Sequence, residues 1–273
     1  PAALPDKEAV SASKVFGPMK VYDKKSNPAE EEMIERRSRL ERHLAETTGP
    51  GDFGKWNYGD GHSIWRVADN RWDDSWRTWK GYHHASGSVP WILALRKTGW
   101  EEYKRAIAVS RHLSDIDICH YETEQSIERS KKKYAVSGKI KGGLNDYKGL
   151  THWHAGDRLF DYNAQTEYAL TWWYITGSRR GLETAKMWGD AVVKHFKRTW
   201  DRREGTGTSA ALIDLYYAIP DKRYLETAEK FIAHVLRTQT PPNVLPSGHL
   251  QSGSMVGWAN YAPGLRKYYE LTG

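Results

Sequence analysis

One cysteine, Cys119, stands in a chain of 273 residues, so no internal disulfide can form. No run of about 18 apolar residues occurs, which removes a helical membrane span. Paired CxxC motifs and HExxH are both absent, and with them the commonest sequence signatures of a zinc site. Nothing reads as a helix-turn-helix, a zinc finger or an RNA-binding sheet motif, so nucleic acid is set aside as a partner. The chain opens "PAALPDKEAV", without Met or a visible signal peptide, and reads as a cut edge. Phenylalanine is scarce too, at 5 residues against 13 Trp and 16 Tyr. Trp and Tyr present a flat apolar face with a polar edge, which suits sugar rings. Most of them are expected in the core and a few in a site.

What is present in excess is positive charge, a net +7. A basic surface favours an anionic partner such as an acidic polysaccharide. The basic residues are dispersed apart from "ERSKKKY", 128 to 134. Hydrophobic residues make up 39% of the chain, enough for a sizeable core.

The organisation is read from helical punctuation. Residues 1–48 form an N-terminal extension, ending in the helical pattern "NPAEEEMIERRSRLERHLAE". Residues 49–273 form the main domain, and its first part, 49 to 82, reads as loop with short helical turns. From residue 83 onward a helical-hairpin scheme repeats in "WILALRKTGWEEYKRAIAVSRHL", "YALTWWYITGSRRGLETAKMWGDAVVKHF" and "LIDLYYAIPDKRYLETAEKFIAHVL". The turns fall at Gly99, Gly177 and Pro220, with glycine as a left-handed cap and proline after a helix end. Apolar residues then recur at helical spacing: Leu182, Ala185, Trp188, Val192 and Phe196 after the second turn, and Leu225, Ala228, Phe231 or Ile232, and Val235 after the third. The closing "YYELTG" matches the end of a first helix whose partner is missing, which predicts an incomplete ring. Uneven spacing between turns argues against an open solenoid of regular repeats. The expected fold is therefore all-α, an α/α toroid built of αα-hairpins. Residues 124 to 150 are expected as an exposed, mobile loop that recruits an anionic chain.

Five clusters could carry chemistry: "NYGDGHSIWRVADNRWDD" (57 to 74), "GYHHASGSVPW" (81 to 91), "RHLSDIDICHYE" (111 to 122), "HWHAGDRLFDYN" (152 to 163) and "PSGHLQSG" (246 to 253). A metal could be shared by His152 and His154 or by Asp115 and Asp117, calcium included, but the set falls short of the three protein ligands plus water of catalytic zinc. No cofactor is therefore expected. Glycoside hydrolysis needs two carboxylates, for which Asp60, Asp73, Asp157 and Asp161 are candidates. Each is equally readable as a helix cap or an ion-pair partner of a neighbouring arginine.

β-Elimination at a uronic acid uses these residue types better. The proton beside the carboxylate is only weakly acidic, so donors or cations must stabilise the enolate-like charge. A His or Tyr takes that proton and a second group protonates the leaving oxygen. His152 or His154 is the expected base and Tyr162 the acid, with His120 and Tyr121 as further acid–base candidates. Arg158, Asn70 and Arg71 are expected to clamp the carboxylate, His83 and His84 to bind substrate, and Trp153 to stack on it.

"YGDGHSIWR…NRWDDSW", "GYHHASGSVPWILALRKTGWEEYKRAIAVSRHLSDIDICHY" and "HWHAGD…DYNAQTEYALTWWYITGSRRGLETAKMWGD" resemble the central α/α-barrel domain of the exo-rhamnogalacturonan lyase-like family, over roughly residues 50 to 200. The resemblance implies a polysaccharide lyase acting on acidic, rhamnose-containing or ulvan-type polymers. It also implies a secreted or periplasmic location and further β-rich domains in a longer parent chain. No strand-rich region is visible here, which departs from the family's full-length pattern. The site residues above rest on chemistry and spacing and are not carried over from the family. A glycoside hydrolase on the same barrel and a non-catalytic glycan-binding domain remain as alternatives.

Overall fold

The structure, a computed structural model, describes residues 4–14, 16, 19–21, 23, 25, 28, 31, 32, 35, 64–66, 68, 71–73, 89–97, 99–124, 141–143, 166–195, 202–237 and 255–273. Helix dominates among them. In chain order the elements are α1 (Lys7–Ser13), β1 (Ile64–Arg66), β2 (Arg71–Asp73), α2 (Val89–Lys97), α3 (Trp100–His112), α4 (Glu167–Thr176), α5 (Arg179–His195), α6 (Arg202–Ala218), α7 (Lys222–Arg237) and α8 (Met255–Thr272). The expected all-α class is observed. Within the stretch read as loop with helical turns there is, instead, a short antiparallel hairpin of β1 and β2, with Trp65 opposite Trp72. Ile64, Trp65 and Trp72 are residue types that favour strands.

Three helical hairpins form as the repeats predict: α2–α3, α4–α5 and α6–α7. Their turns differ in chemistry. Gly177 is a left-handed cap at φ 70°, with its N–H on Trp173 O at 2.7 Å. Gly99 is not such a cap. Its backbone is extended, φ −94° and ψ 139°, and it opens α3 as the N-cap residue. At the third turn Pro220 follows the end of α6, and the Asp221 carboxylate accepts the N–H of Arg223 at 3.0 Å.

The hairpins stack in two layers. Among the first helices, α4 touches α2 and α6, and α6 packs extensively on α8; among the second helices, α5 touches α7. The burial pattern follows from this position. Tyr168, Ala169, Leu170, Thr171 and Trp172, five consecutive residues of α4, are all buried. Thr208 to Ile213 of α6 are buried likewise. Over these stretches the two helices have neighbours on every side, whereas Tyr174 and Tyr217 beyond them are exposed. The second helices bury one stripe: Ala185, Trp188 and Val192 on α5, and Ala228, Phe231 and Ile232 on α7. Leu182 and Leu225 are only half-buried, and the side chains of Phe196 and Val235 lie outside the description. Leu265, Tyr268 and Leu271 of α8 pack against the same core, so α8 occupies the place of a fourth first helix.

Two features fix the layers to each other. Gly181 lets α5 approach α4: a Cβ there would lie 2.4 Å from the Ala169 carbonyl oxygen. The α3 helix ends in a π-helical turn, Leu113–Asp117, after which the chain runs beside α5. Asp115 pairs with Arg180 near the start of α5, and Glu122 with Lys194 near its end, at 3.1 Å. Part of the insert is anchored there too. Gly142 and Gly143 are buried, and they exchange backbone hydrogen bonds of 2.7 Å with Cys119. This differs from the expected exposed loop at that point. Lys131, Lys132 and Lys133 lie outside the described residues.

Candidate active-site cleft

A cleft of about 840 Å³ opens on the face of the first-helix layer. Its walls come from α2, α4, α6 and α8, and from the segment following α1. The volume falls in the usual range for small-ligand sites.

Each first helix sends charge into it: Arg96 from α2, Glu167 from α4, Asp214 from α6, and Arg266, Lys267 and Glu270 from α8. Lys267 Nζ lies 2.5 Å from Asp214 Oδ2 and 3.9 Å from Glu167 Oε1, so one ammonium ties three helices together. None of the three is sealed in: the side chains of Lys267, Asp214 and Glu167 retain 19%, 23% and 29% of their exposure. Burial nonetheless pushes the Asp214 carboxyl up from the ordinary carboxylate value, and the Lys267 charge and hydrogen bond only partly offset it. Burial, and then the Asp214 charge, also raise the Tyr174 phenol, so Tyr174 holds its proton at neutral pH. Tyr174 and Tyr217 are exposed in the cleft, at 44% and 54%. Arg266 faces the same space and pairs with Glu270 at 3.5 Å.

The opposite wall comes from the N-terminal extension, through Lys14, Phe16, Met19 and Lys20. It is held by a buried ion pair. Arg96 reaches Glu31 Oε1 at 3.4 Å and donates to Lys20 O at 3.0 Å, and Glu31 also accepts the N–H of Asp23 at 3.1 Å. Glu31 is 1% exposed.

The expected site residues fall as follows. His152, Trp153, His154, Arg158, Tyr162, Asn70, His83 and His84 lie outside the described residues, as do Asp60, Asp157 and Asp161. Arg71 and Asp73 stand on β2, opposite Arg66 and Ile64. His120 and Tyr121 lie on the stretch beside α5, and neither lines the cleft. The His120 imidazole Nε2 is 2.6 Å from Ser114 O. Tyr121 is half exposed and its carbonyl accepts the Cys119 thiol. Asp115, a candidate metal ligand by sequence, pairs with Arg180. No group of three or more His, Cys, Asp or Glu among the described residues could hold a metal ion. No helix among them is long and apolar enough to cross a membrane.

Sequence reasoning missed Glu167, Asp214, Tyr174, Tyr217 and Lys267. A signal for them exists. Glu167, Thr171 and Tyr174 follow the i, i+4, i+7 rule, and Asp214 and Tyr217 the i, i+3 rule, so each set shares one helix face. Asp214 is a lone charge in the apolar run "AALIDLYYA". A charged residue inside a core helix needs a polar partner or a cavity, and here it has both. Compared with known protein families, with curated proteins and with solved structures, the chain matches none of them.

Proposed function

We propose that the protein is a polysaccharide lyase that draws an acidic polysaccharide into the concave cleft and cleaves it by β-elimination. The observation that supports this is the cleft, which cationic and aromatic side chains, among them Lys14, Lys20, Tyr174 and Tyr217, line together. Cations concentrate an anionic chain, and tyrosine rings stack on sugars. In this reading the hairpin stack is an arc of an α/α toroid. His152 or His154 takes the proton beside the uronate carboxylate, Tyr162 protonates the leaving oxygen, and Arg158 with Asn70 and Arg71 neutralises the carboxylate. His120 and Tyr121 are second-choice acid–base groups, since neither borders the cleft. The resemblance to the exo-rhamnogalacturonan lyase-like family points the same way, and on this reading the protein works outside the cytoplasm, beside β-rich domains of a longer chain. No cofactor is required by this chemistry, and calcium is the one ion worth adding to assays.

A second reading is favoured by one observation: Asp214 and Glu167 converge on Lys267 in the cleft. Two carboxylates with different environments are the equipment of a glycoside hydrolase, the raised one serving as acid. One experiment separates the readings. Acidic polysaccharides are incubated with the protein, and both ultraviolet absorbance and reducing ends are followed. Elimination creates a conjugated double bond and raises both. Hydrolysis raises reducing ends alone. Binding without either signal leaves a glycan-binding domain.

A further inference from the structure

The charges of the α4–α6–α8 wall are already compensated. Lys267 lies between Asp214 and Glu167, and Arg266 is paired with Glu270. A uronate carboxylate arriving here would have to displace two carboxylates from Lys267 and would meet their repulsion in a partly desolvated space. An uncharged sugar ring meets no such obstacle. Ionised carboxylates are acceptors only, and each oxygen has more than one lone-pair direction. With Oδ2 of Asp214 taken by Lys267, Oδ1 still offers an acceptor site to hydroxyl hydrogens, and the Glu167 carboxylate can accept from a hydroxyl in addition to the partners it already has. The ammonium holds both carboxylates in place and can donate to a ring hydroxyl. Tyr174 and Tyr217 supply exposed aromatic surface alongside.

We infer that this wall is the binding subsite for a neutral sugar unit, with Asp214 and Glu167 accepting its hydroxyls and Tyr217 and Tyr174 packing on its apolar face. Uronate recognition then belongs to other residues, the Lys14 and Lys20 side of the cleft included. The inference rests on the reading that a glycan occupies the cleft, but not on the chemistry performed there.

The test uses the 273-residue protein and ligand-observed NMR titration. The probes are the methyl glycosides of galactose, glucose, xylose and rhamnose, and of galacturonic and glucuronic acid. At least one neutral glycoside is expected to bind saturably, with an affinity nearly independent of salt. Asp214→Asn should weaken it about tenfold, the scale of a hydrogen bond to a charged group. Tyr217→Ala, a substitution at a half-exposed position that leaves the core intact, should weaken it by a similar factor. Saturable neutral binding with both losses supports the subsite. The absence of saturable neutral binding overturns it, and so does unchanged affinity in both variants. If uronate glycosides bind more tightly than neutral ones, lose affinity as salt rises and gain it in Asp214→Asn, the wall is an anion clamp. The inference then fails while the lyase reading stands. Neutral binding that both variants weaken, with no unsaturated product from any polysaccharide, supports the subsite and ends the lyase reading.

Discussion

Trp91 is 1% exposed, and its indole N–H donates to Ser110 Oγ at 2.7 Å across the α2–α3 hairpin. Tyr103 packs edge-on against it, with ring centroids 5.7 Å apart. The sequence pattern marks Trp91 as apolar but cannot announce the need of its N–H, since Ser110 lies a hairpin away. Ser110→Ala should leave that donor unsatisfied and cost about 1–3 kcal/mol, read as a lower urea midpoint with an unchanged slope. A midpoint equal to the wild type would mean that another group or water takes the proton. At Asp214 the expected effect depends on pH. Its folded-state pKa is raised above the unfolded value of about 3.9. The folded state therefore binds more protons in that window, and this carboxyl's contribution to stability rises as pH falls through it. Urea midpoints from neutral pH downward should shift in favour of the wild type relative to Asp214→Asn. A constant difference between the two would remove the raised carboxyl from the account.

Elements were legible where periodicity and punctuation agree. The α5 and α7 stripes were readable because they alternate buried and exposed positions every third or fourth residue, as Ala185, Trp188 and Val192 do. α4 and α6 were readable as helices, but their surroundings were not, because a run buried on all sides carries no stripe to aim it. Gly99 shows the limit of punctuation: the same residue type ends one helix at Gly177 and begins another at Gly99. The β1–β2 hairpin escaped notice because three-residue strands are too short to display alternation. Gly181 carries a stricter message. Because its missing Cβ faces backbone and not a mobile side chain, α5 must move if a methyl is added. Gly181→Ala should destabilise the protein by about 1–3 kcal/mol despite alanine's better helix propensity. A gain in thermal midpoint would mean that the two helices can separate at little cost.

On the scale of the whole molecule, the cleft is an assembly product. Its floor comes from four helices more than 150 residues apart along the chain at the extremes, and its far wall from the N-terminal extension. No local window of sequence contains that surface, so clustering histidines by proximity in sequence could not find it. The extension belongs to the cleft because Glu31 and Arg96 are buried together. Glu31→Ala takes the buried carboxylate away from the Arg96 guanidinium and should cost about 3–5 kcal/mol. It should also expose Lys14 and Lys20 to early tryptic cleavage, which an unlatched but independent tail would suffer in the wild type already. The two proposed chemistries make opposite demands on the same architecture. If the reaction is elimination with the proposed base, a histidine of the 152–154 stretch takes the proton. His152→Ala or His154→Ala then lowers kcat by about 10²- to 10⁴-fold and leaves KM nearly unchanged. Asp214→Asn and Glu167→Gln, which touch a sugar that is not reacting, should mainly raise KM. If hydrolysis is the reaction the pattern inverts: either carboxylate variant removes kcat, and both histidine variants keep it. Steady-state kinetics on a polymer that yields either product, with the four variants measured side by side, assigns the bond-breaking step to one set of residues.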